Sequence, residues 1–391
     1  MKINLKLKVS DALFTIAMVF VLSFPGLSRM KAVSIVAFFS YMMVMKILKY
    51  KTIQNTMHIV GGFLFWAFAY ISKKWALYPM AVSEQINNVL WTVLLSTAIS
   101  TYVVHRDLGV KDIVNRLIPI AVLFFVNVIL NSTFEDKRLS IGINENIFGR
   151  LSSGMACFMI YQCKQDKWKN VFLDIITAIL VLFTFLSGSR TSVLILGIYV
   201  IAFFGFEYPP KNGIKFARKC VLSVALCIVT YFCVIKIDFL YNTIGHRIES
   251  LISLVTGTSK GDSSAITRMI MLNSAREIFT ENPWIGIGLN NFKYATYHNT
   301  YAHNNYYELA ACLGIVGLVF YYLPLAFYLW RAVRRWRKNE AKMIVPLAII
   351  GAFFLGDIGS VSYFNTIFHM FLGLAIGLVS DGKRQRMRRI V

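Results

Sequence analysis

Apolar runs separated by short polar connections recur along most of this chain, and those of about 17 to 25 residues have the length of helices that cross a hydrocarbon layer. Twelve runs can be marked out, at 11–27, 32–48, 57–71, 86–104, 113–130, 147–161, 171–186, 191–206, 216–235, 306–330, 343–355 and 360–379. Lipid offers backbone N–H and C=O groups no partner, so the runs are predicted to be helices. The expected fold is all-α: a polytopic membrane protein of about 12 transmembrane helices, a single membrane domain over residues 1–391. One connection breaks the rhythm. Residues 237–305, between the ninth and tenth runs, form a long polar loop expected to act as a lid.

Inside that loop, Asp262-Ser-Ser264 can cap a helix over about 265–281 that carries Ile266, Met269, Ile270, Ile278 and Phe279 on one face, and Pro283 ends it. Such a helix would lie along the membrane surface. A turn at Gly286-Ile-Gly288 follows, and then the densest polar stretch of the chain, His298-Asn-Thr-Tyr-Ala-His303-Asn-Asn-Tyr-Tyr-Glu308, which runs straight into the tenth apolar run.

Composition supports the membrane reading: 57% of the 391 residues are hydrophobic and only 15% are charged, too apolar for one soluble globule. The net charge of +22 could suggest nucleic acid, but its placement points elsewhere. Of the 41 Lys and Arg, 27 fall in every second connection, as the positive-inside rule requires, so no nucleic-acid partner is expected. This places both termini in the cytoplasm, and it puts the long loop and the tight turn Ser187-Gly-Ser-Arg190 on the extracytoplasmic side. Basic residues precede the first run, but residues 23–29 lack a small-x-small cleavage pattern, so that run is read as an uncleaved helix. All six cysteines lie in or at the ends of apolar segments, which implies no disulfide framework.

The chemistry is therefore expected at the outer rim. Arginine suits phosphate, because its planar fork donates parallel hydrogen bonds and never loses its charge. Arg190 and Arg268 could clamp a pyrophosphate, the latter helped by the positive end of its helix dipole. Arg190 alone would equally serve as a snorkelling helix anchor and Arg268 as a solvated surface residue. Arg276 and Arg150 are further candidates for the same clamp. His303 could take a proton from a sugar hydroxyl or bond a phosphate, with Glu308 as the second candidate base. His298, Asn304, Tyr301 and Tyr306 complete the candidate substrate-binding set, and the surrounding tyrosines read either as glycan contacts or as an aromatic belt. The spacing of His298, His303 and Glu308 does not place two ligands on one helical face, so neither a metal nor another cofactor is expected. A lipid-linked glycan transporter or flippase is the competing class, but the runs carry few ionisable groups, with Asp174 and His369 as exceptions, and no repeat is visible.

Three motifs together resemble the O-antigen ligase and O-antigen polymerase superfamily, bacterial membrane glycosyltransferases of the C-type architecture. They are Ser187-Gly-Ser-Arg190-Thr opening a helix, Arg268 ahead of Asn282-Pro-Trp-Ile-Gly286-Ile-Gly288, and His303-Asn304 eleven residues before Gly314-Ile-Val-Gly317. The resemblance covers mainly residues 184–320. It implies a multi-pass protein of the bacterial inner (cytoplasmic) membrane with an extracytoplasmic active site. It also implies a donor glycan on undecaprenyl pyrophosphate, metal-independent and inverting transfer to an acceptor glycan, and a chain-length regulator as a partner. The family's turn arginine, loop arginine and loop histidine correspond to Arg190, Arg268 and His303. One departure is that the aromatic residue a turn after the loop arginine is here Met271 or Leu272. Polymerase and ligase share these motifs. The Lys, Asn and Ile-rich composition, which suits an organism without a lipid A acceptor, favours the polymerase, with the ligase as the alternative.

Overall fold

The computed structural model describes residues 8–23, 28–49, 55–135, 138–210, 213–236, 241 and 263–380. A helix forms at each of the twelve apolar runs. The first nine are α1 (Val9–Met18, continued by a π-helical turn over Val19–Ser23), α2 (Ser28–Lys49), α3 (Thr56–Ile71), α4 (Pro79–Arg106), α5 (Val110–Asn131), α6 (Glu145–Gln165), α7 (Val171–Leu186), α8 (Arg190–Gly205) and α9 (Gly213–Lys236). The described part of the long loop holds α10 (Ser263–Glu281) and the short α11 (Phe292–Ala295), and the chain closes with α12 (Asn305–Trp336), α13 (Ile344–Gly356) and α14 (Thr366–Ser380). Among the described residues the only strands are β1 (Thr133–Glu135) and β2 (Arg138–Ser140), an antiparallel hairpin with Phe134 opposite Leu139. Residues 237–240 and 242–262, including the Asp262 cap, lie outside the described residues.

The helices are not twelve equal crossings. Among the described residues, four helices can by length and composition span a bilayer on their own: α4, α5, α12 and α2 over Arg29–Ile47. The apolar helices α7, α8, α13 and α14 have 16, 16, 13 and 15 residues, which at about 1.5 Å per residue is less than a hydrocarbon core of roughly 30 Å. Hydropathy counts apolar residues, whereas a helix also stops where a turn or cap closes it, so a run can end before it has spanned.

α4 and α14 form the centre. Most of α4 from Thr92 to Val103 is buried, as is all of α14. Gly373-Leu-Ala-Ile-Gly377 presents two glycines one turn apart, and these let the backbones of α14 and α4 approach closely. A Cβ on Gly373 would sit 2.7 Å from the Ser96 carbonyl oxygen, and one on Gly377 would sit 2.5 Å from the Val103 Cβ. Gly61 of α3 meets Pro324 of α12 in the same way, with a hypothetical Cβ 2.2 Å from the proline Cγ.

Polar residues inside the bundle are matched to one another. His58 Nε2 is 3.2 Å from Ser96 Oγ, and Asn55 donates to Ser100 and Thr101 while accepting from Lys46 Nζ at 2.7 Å. Tyr321 OH lies 2.9 Å from Ser362 Oγ and 3.2 Å from His369 Nε2. Local hydropathy averages such single polar residues away, but in lipid each one needs a partner on a neighbouring helix.

Connections that hydropathy assigns to one side also meet each other. At one set of ends, Asp11 accepts from Tyr102 at 2.5 Å, Arg106 at 2.7 Å and Arg116 at 3.3 Å, joining the start of α1, the end of α4 and the start of α5. Lys164 pairs with Glu207, and Trp336 Nε1 donates to the carbonyls of Phe206 and Glu207, joining the ends of α6, α8 and α12. At the other set of ends, the connection 72–78 bonds the segment 285–291 through Leu77 N–H to Ile287 O, Trp75 Nε1 to Ile285 O and Tyr78 N–H to the Asn291 side chain.

The glycine contacts set an expectation for stability. Gly373→Leu should lower the yield of monodisperse protein in fluorescence-detected gel filtration, because overpacking costs about 1–3 kcal/mol or separates the helices. Gly351→Ala, where an added Cβ meets nothing within 4 Å, should leave the profile unchanged. Equal profiles for the two variants would show that the α4–α14 contact does not limit stability.

Candidate active site

The site rests on an exchange of backbone hydrogen bonds. α12 is interrupted at Gly314, whose φ of 63° and ψ of −164° break the helix. The loop after α10 fills the break: Ile287 and Gly288 donate N–H to the carbonyls of Ala311 and Cys312 at 3.1 and 2.8 Å. In return, Ile315 and Val316 donate to the carbonyls of Pro283 and Trp284 at 2.8 and 3.2 Å. Glycine is required on both sides. A Cβ on Gly286 would lie 2.4 Å from the Cys312 carbonyl carbon, and one on Gly314 would lie 2.3 Å from that of Trp284.

This docking fixes α10 along α12. Met271 and Ala275 are buried, with Ile278 half-buried a turn further on, whereas Ile266, Met269 and Ile270 are exposed. The inward face is thus distinct from the apolar stripe read from the sequence on a surface-lying helix. Three apolar residues of that stripe face away from the protein, and Met271, the departure from the family pattern, packs into the core.

Arg268 lies half-buried on α10 and acts electrostatically on both Tyr301 and His303. The His303 and Tyr301 rings are 4.5 Å apart at 53°. His303 has a φ of 54°, a left-handed backbone that a non-glycine residue adopts only when its surroundings hold it. They do so from both sides. Ala302 N–H donates to Glu308 Oε2 at 2.8 Å, and Asn304 caps α12 by accepting from the N–H groups of Tyr306 and Tyr307 at 3.0 and 3.1 Å. Burial, and then the positive charge of Arg268, push the imidazole pKa down to about 4, so His303 is neutral near pH 7.

The turn between α13 and α14, residues 356–360, links this loop to the other arginines. Asn305 N–H donates to Asp357 O at 2.8 Å, and Asn304 Nδ2 donates to Ile358 O at 3.0 Å. Across the turn, a Cβ on Gly359 would lie 3.0 Å from Thr191 Oγ1, the residue after Arg190. From below, buried Arg150 donates to Gly356 O at 2.8 Å and stacks on the Phe368 ring at 4.3 Å. Arg190 is thus held at the first position of α8, capped by Ser189, next to the Thr191 that meets this turn.

The candidates separate by what their polar atoms already do. Arg268, Tyr301 and His303 are brought together, and Arg190 is placed next to the Thr191 that meets the turn. Arg150 is spent on the turn itself, Asn304 on its cap, and Tyr306 OH on Phe354 O at 2.8 Å. Glu308 is 1% exposed and occupied by the Ala302 N–H. His298 lies 3.3 Å from Ser274 Oγ and ties its loop to α10, whereas Arg276 is exposed two turns beyond Arg268.

Two residues that local sequence does not reveal belong to this scaffold. Arg138 of β2 donates to Ser187 O at 2.9 Å and pairs with Glu145 at 3.0 Å, holding the turn in front of Arg190. Asp357 accepts from Tyr322 OH at 2.7 Å and Asn305 Nδ2 at 3.1 Å. Neither belongs to a polar motif, and their partners Ser187, Tyr322 and Asn305 lie 35 to 52 residues away in the chain.

The electrostatics can be tested by NMR of histidine-labelled protein. The His303 resonance should report a neutral ring at about pH 6 and titrate near 4, and Arg268→Gln should move that midpoint upward, because it removes a positive neighbour. A midpoint unchanged in the variant would separate the two side chains.

Residues 175–322 match the sequence model of the family described as O-antigen ligase. The matched region starts in α7 and ends in α12, so it contains Arg190, Arg268, His303, Glu308 and the loop docked on the helix break. No curated protein matches the chain. Residues 175–322 therefore carry an O-antigen ligase family domain, set in a chain with apolar helices long enough to cross a bilayer.

Proposed function

We propose that the protein is a surface-polysaccharide polymerase that transfers a glycan from undecaprenyl pyrophosphate to a sugar hydroxyl of an acceptor glycan at the extracytoplasmic face of the inner membrane. The observation that carries the reading is a neutral, half-buried His303 next to Arg268, in a segment bonded to the same turn that Thr191, beside Arg190, meets. His303 accepts the proton of the acceptor hydroxyl as the new C–O bond forms at the anomeric carbon. The bond from that carbon to the lipid pyrophosphate breaks at the same time, and the leaving diphosphate gathers its negative charge between Arg268 and Arg190. Direct displacement inverts the anomeric configuration.

A pKa of about 4 makes His303 a weak base in the free enzyme. A bound pyrophosphate offsets the Arg268 charge and raises the histidine's basicity when the donor is in place. Two arginines do the work that a cation would otherwise do. Glu308 acts as a positioning residue that holds the Ala302 N–H and, through it, the left-handed His303 backbone. Tyr294, Tyr297 and Tyr307 are exposed beside this site and give an acceptor glycan flat faces to stack on, which favours a polymerase.

Substitutions distinguish these roles in an assay with purified enzyme and lipid-linked repeat units. Arg268→Lys should lose nearly as much activity as Arg268→Ala, roughly 100-fold, because lysine keeps the charge but lacks the bidentate fork. Glu308→Gln, which still offers an oxygen to the Ala302 N–H, should retain most activity, whereas Glu308→Ala should not. Loss of activity in Glu308→Gln at normal abundance would make Glu308 the base.

The acceptor is decided in cells. Deleting the gene should leave single repeat units on the carrier lipid or at the surface. Long carrier-linked chains in the deletion strain would instead establish a ligase that moves finished polysaccharide.

A further inference from the structure

At the end of α8 remote from Arg190, a cavity of about 400 Å³ opens between α8 and α9. It lies roughly 24 Å along the helix from the candidate site. Its walls are of two kinds. Val200, Phe204 and Leu222 make an apolar side, with Phe204 and Leu222 more than half exposed. Lys215, Arg218 and Lys219, from the first two turns of α9, make a basic rim.

Glu207, an acid close to this rim in the chain, is engaged with other residues. Glu207 is held by Lys164 and by Gln165 Nε2 at 2.6 Å, and its backbone carbonyl accepts from Trp336 Nε1. Lys219 rests over the Phe206 ring at 5.7 Å and donates to Tyr208 O at 3.4 Å, so its stem lies along the protein surface near the cavity. A free anion would use the rim and leave the apolar wall bare. A zwitterionic lipid would use the wall but bring no net charge to three cations.

We infer that this cavity is a binding site for an anionic glycerophospholipid, its headgroup phosphate on Lys215, Arg218 and Lys219 and its acyl chain along Phe204 and Leu222. A basic recess between membrane helices recognises such headgroups through charge, and each basic side chain near the bilayer surface contributes roughly fivefold to the preference for an anionic lipid. The cavity volume falls in the range of small-ligand sites, about 300 to 1,000 Å³. The lipid would also fill the opening between α8 and α9 and so hold α9 on the bundle. This inference concerns a site separate from the glycosyl-transfer centre, and its test reads no activity.

The test uses the full chain purified in detergent and native mass spectrometry, with phosphatidylglycerol or phosphatidylcholine added at equal mole fraction. Phosphatidylglycerol should be retained at least about tenfold over phosphatidylcholine. The triple variant Lys215→Gln, Arg218→Gln, Lys219→Gln should lose that preference, and Leu222→Trp, which fills the cavity without changing charge, should lower phosphatidylglycerol retention. If the triple variant is not monodisperse, Arg218→Gln alone should reduce the preference by about fivefold. Equal retention of the two lipids, an undiminished preference in the rim variants, or unchanged retention in Leu222→Trp would overturn the assignment. Displacement of phosphatidylglycerol by an equal concentration of inorganic phosphate would also overturn it, by showing a phosphate site with no use for the acyl chain.

Discussion

The site depends on the four hydrogen bonds between the 283–288 loop and the break in α12 at Gly314. A membrane helix cannot be interrupted without leaving carbonyl and N–H groups unpaired, and each unpaired group in lipid costs several kcal/mol. Here the break is filled by the segment that follows α10, so an irregular stretch of one helix and an irregular loop satisfy each other. Because neither can be displaced without exposing the other, α10 is held in one position along α12. Arg268 is carried on α10, and His303 lies just ahead of the first turn of α12.

From that junction the order spreads by short polar links. Glu308 and Asn304 hold the backbone on either side of His303, and Asn304 and Asn305 tie the same segment to the turn at 356–360. That turn also receives Arg150 from α6 and touches Thr191 beside Arg190. Many of the polar residues that surround the candidate chemistry are therefore structural, and this is a physical requirement of a site built at the edge of lipid. Preorganised charge stabilises a developing diphosphate only if its supports do not move. The left-handed backbone at His303 is a local strain of the kind that such a network can hold.

The opposite end of the bundle is built on a different principle. The Asp11 cluster and the Lys164–Glu207 pair close helix ends by charge, while Lys215, Arg218 and Lys219 line an opening between α8 and α9. Between the two ends, His58, His369, Asn55 and Tyr321 are each matched to hydroxyl groups on neighbouring helices, and the glycines of α14 and α3 let those helices come close enough for the bonds to form.

Helix formation was legible in the residues, because burial in lipid demands it wherever an apolar run is long enough. The twelve runs appear as twelve helices, with ends that differ from the hydropathy boundaries by a few residues for most and by seven at the start of α4. The family was also legible, from three motifs whose spacing is a local property of the chain. The shortness of some helices was legible too, since the runs 171–186 and 191–206 are 16 residues long and form helices of 16 residues. The inward face of α10 was not legible: apolar periodicity marks Ile266, Met269 and Ile270, which stay exposed, and only the docked loop shows Met271 and Ala275 buried. At the site, the sequence by itself determined which residue types are present at the rim. Only the tertiary structure decided which of them are already engaged, as Asn304, Tyr306, Glu308 and Arg150 are, and which face one another, as Arg268 and His303 do. The reason is that a hydrogen-bond partner or a charged neighbour 35 residues or more away in the chain, as for Arg268 and His303, leaves no mark on the local pattern.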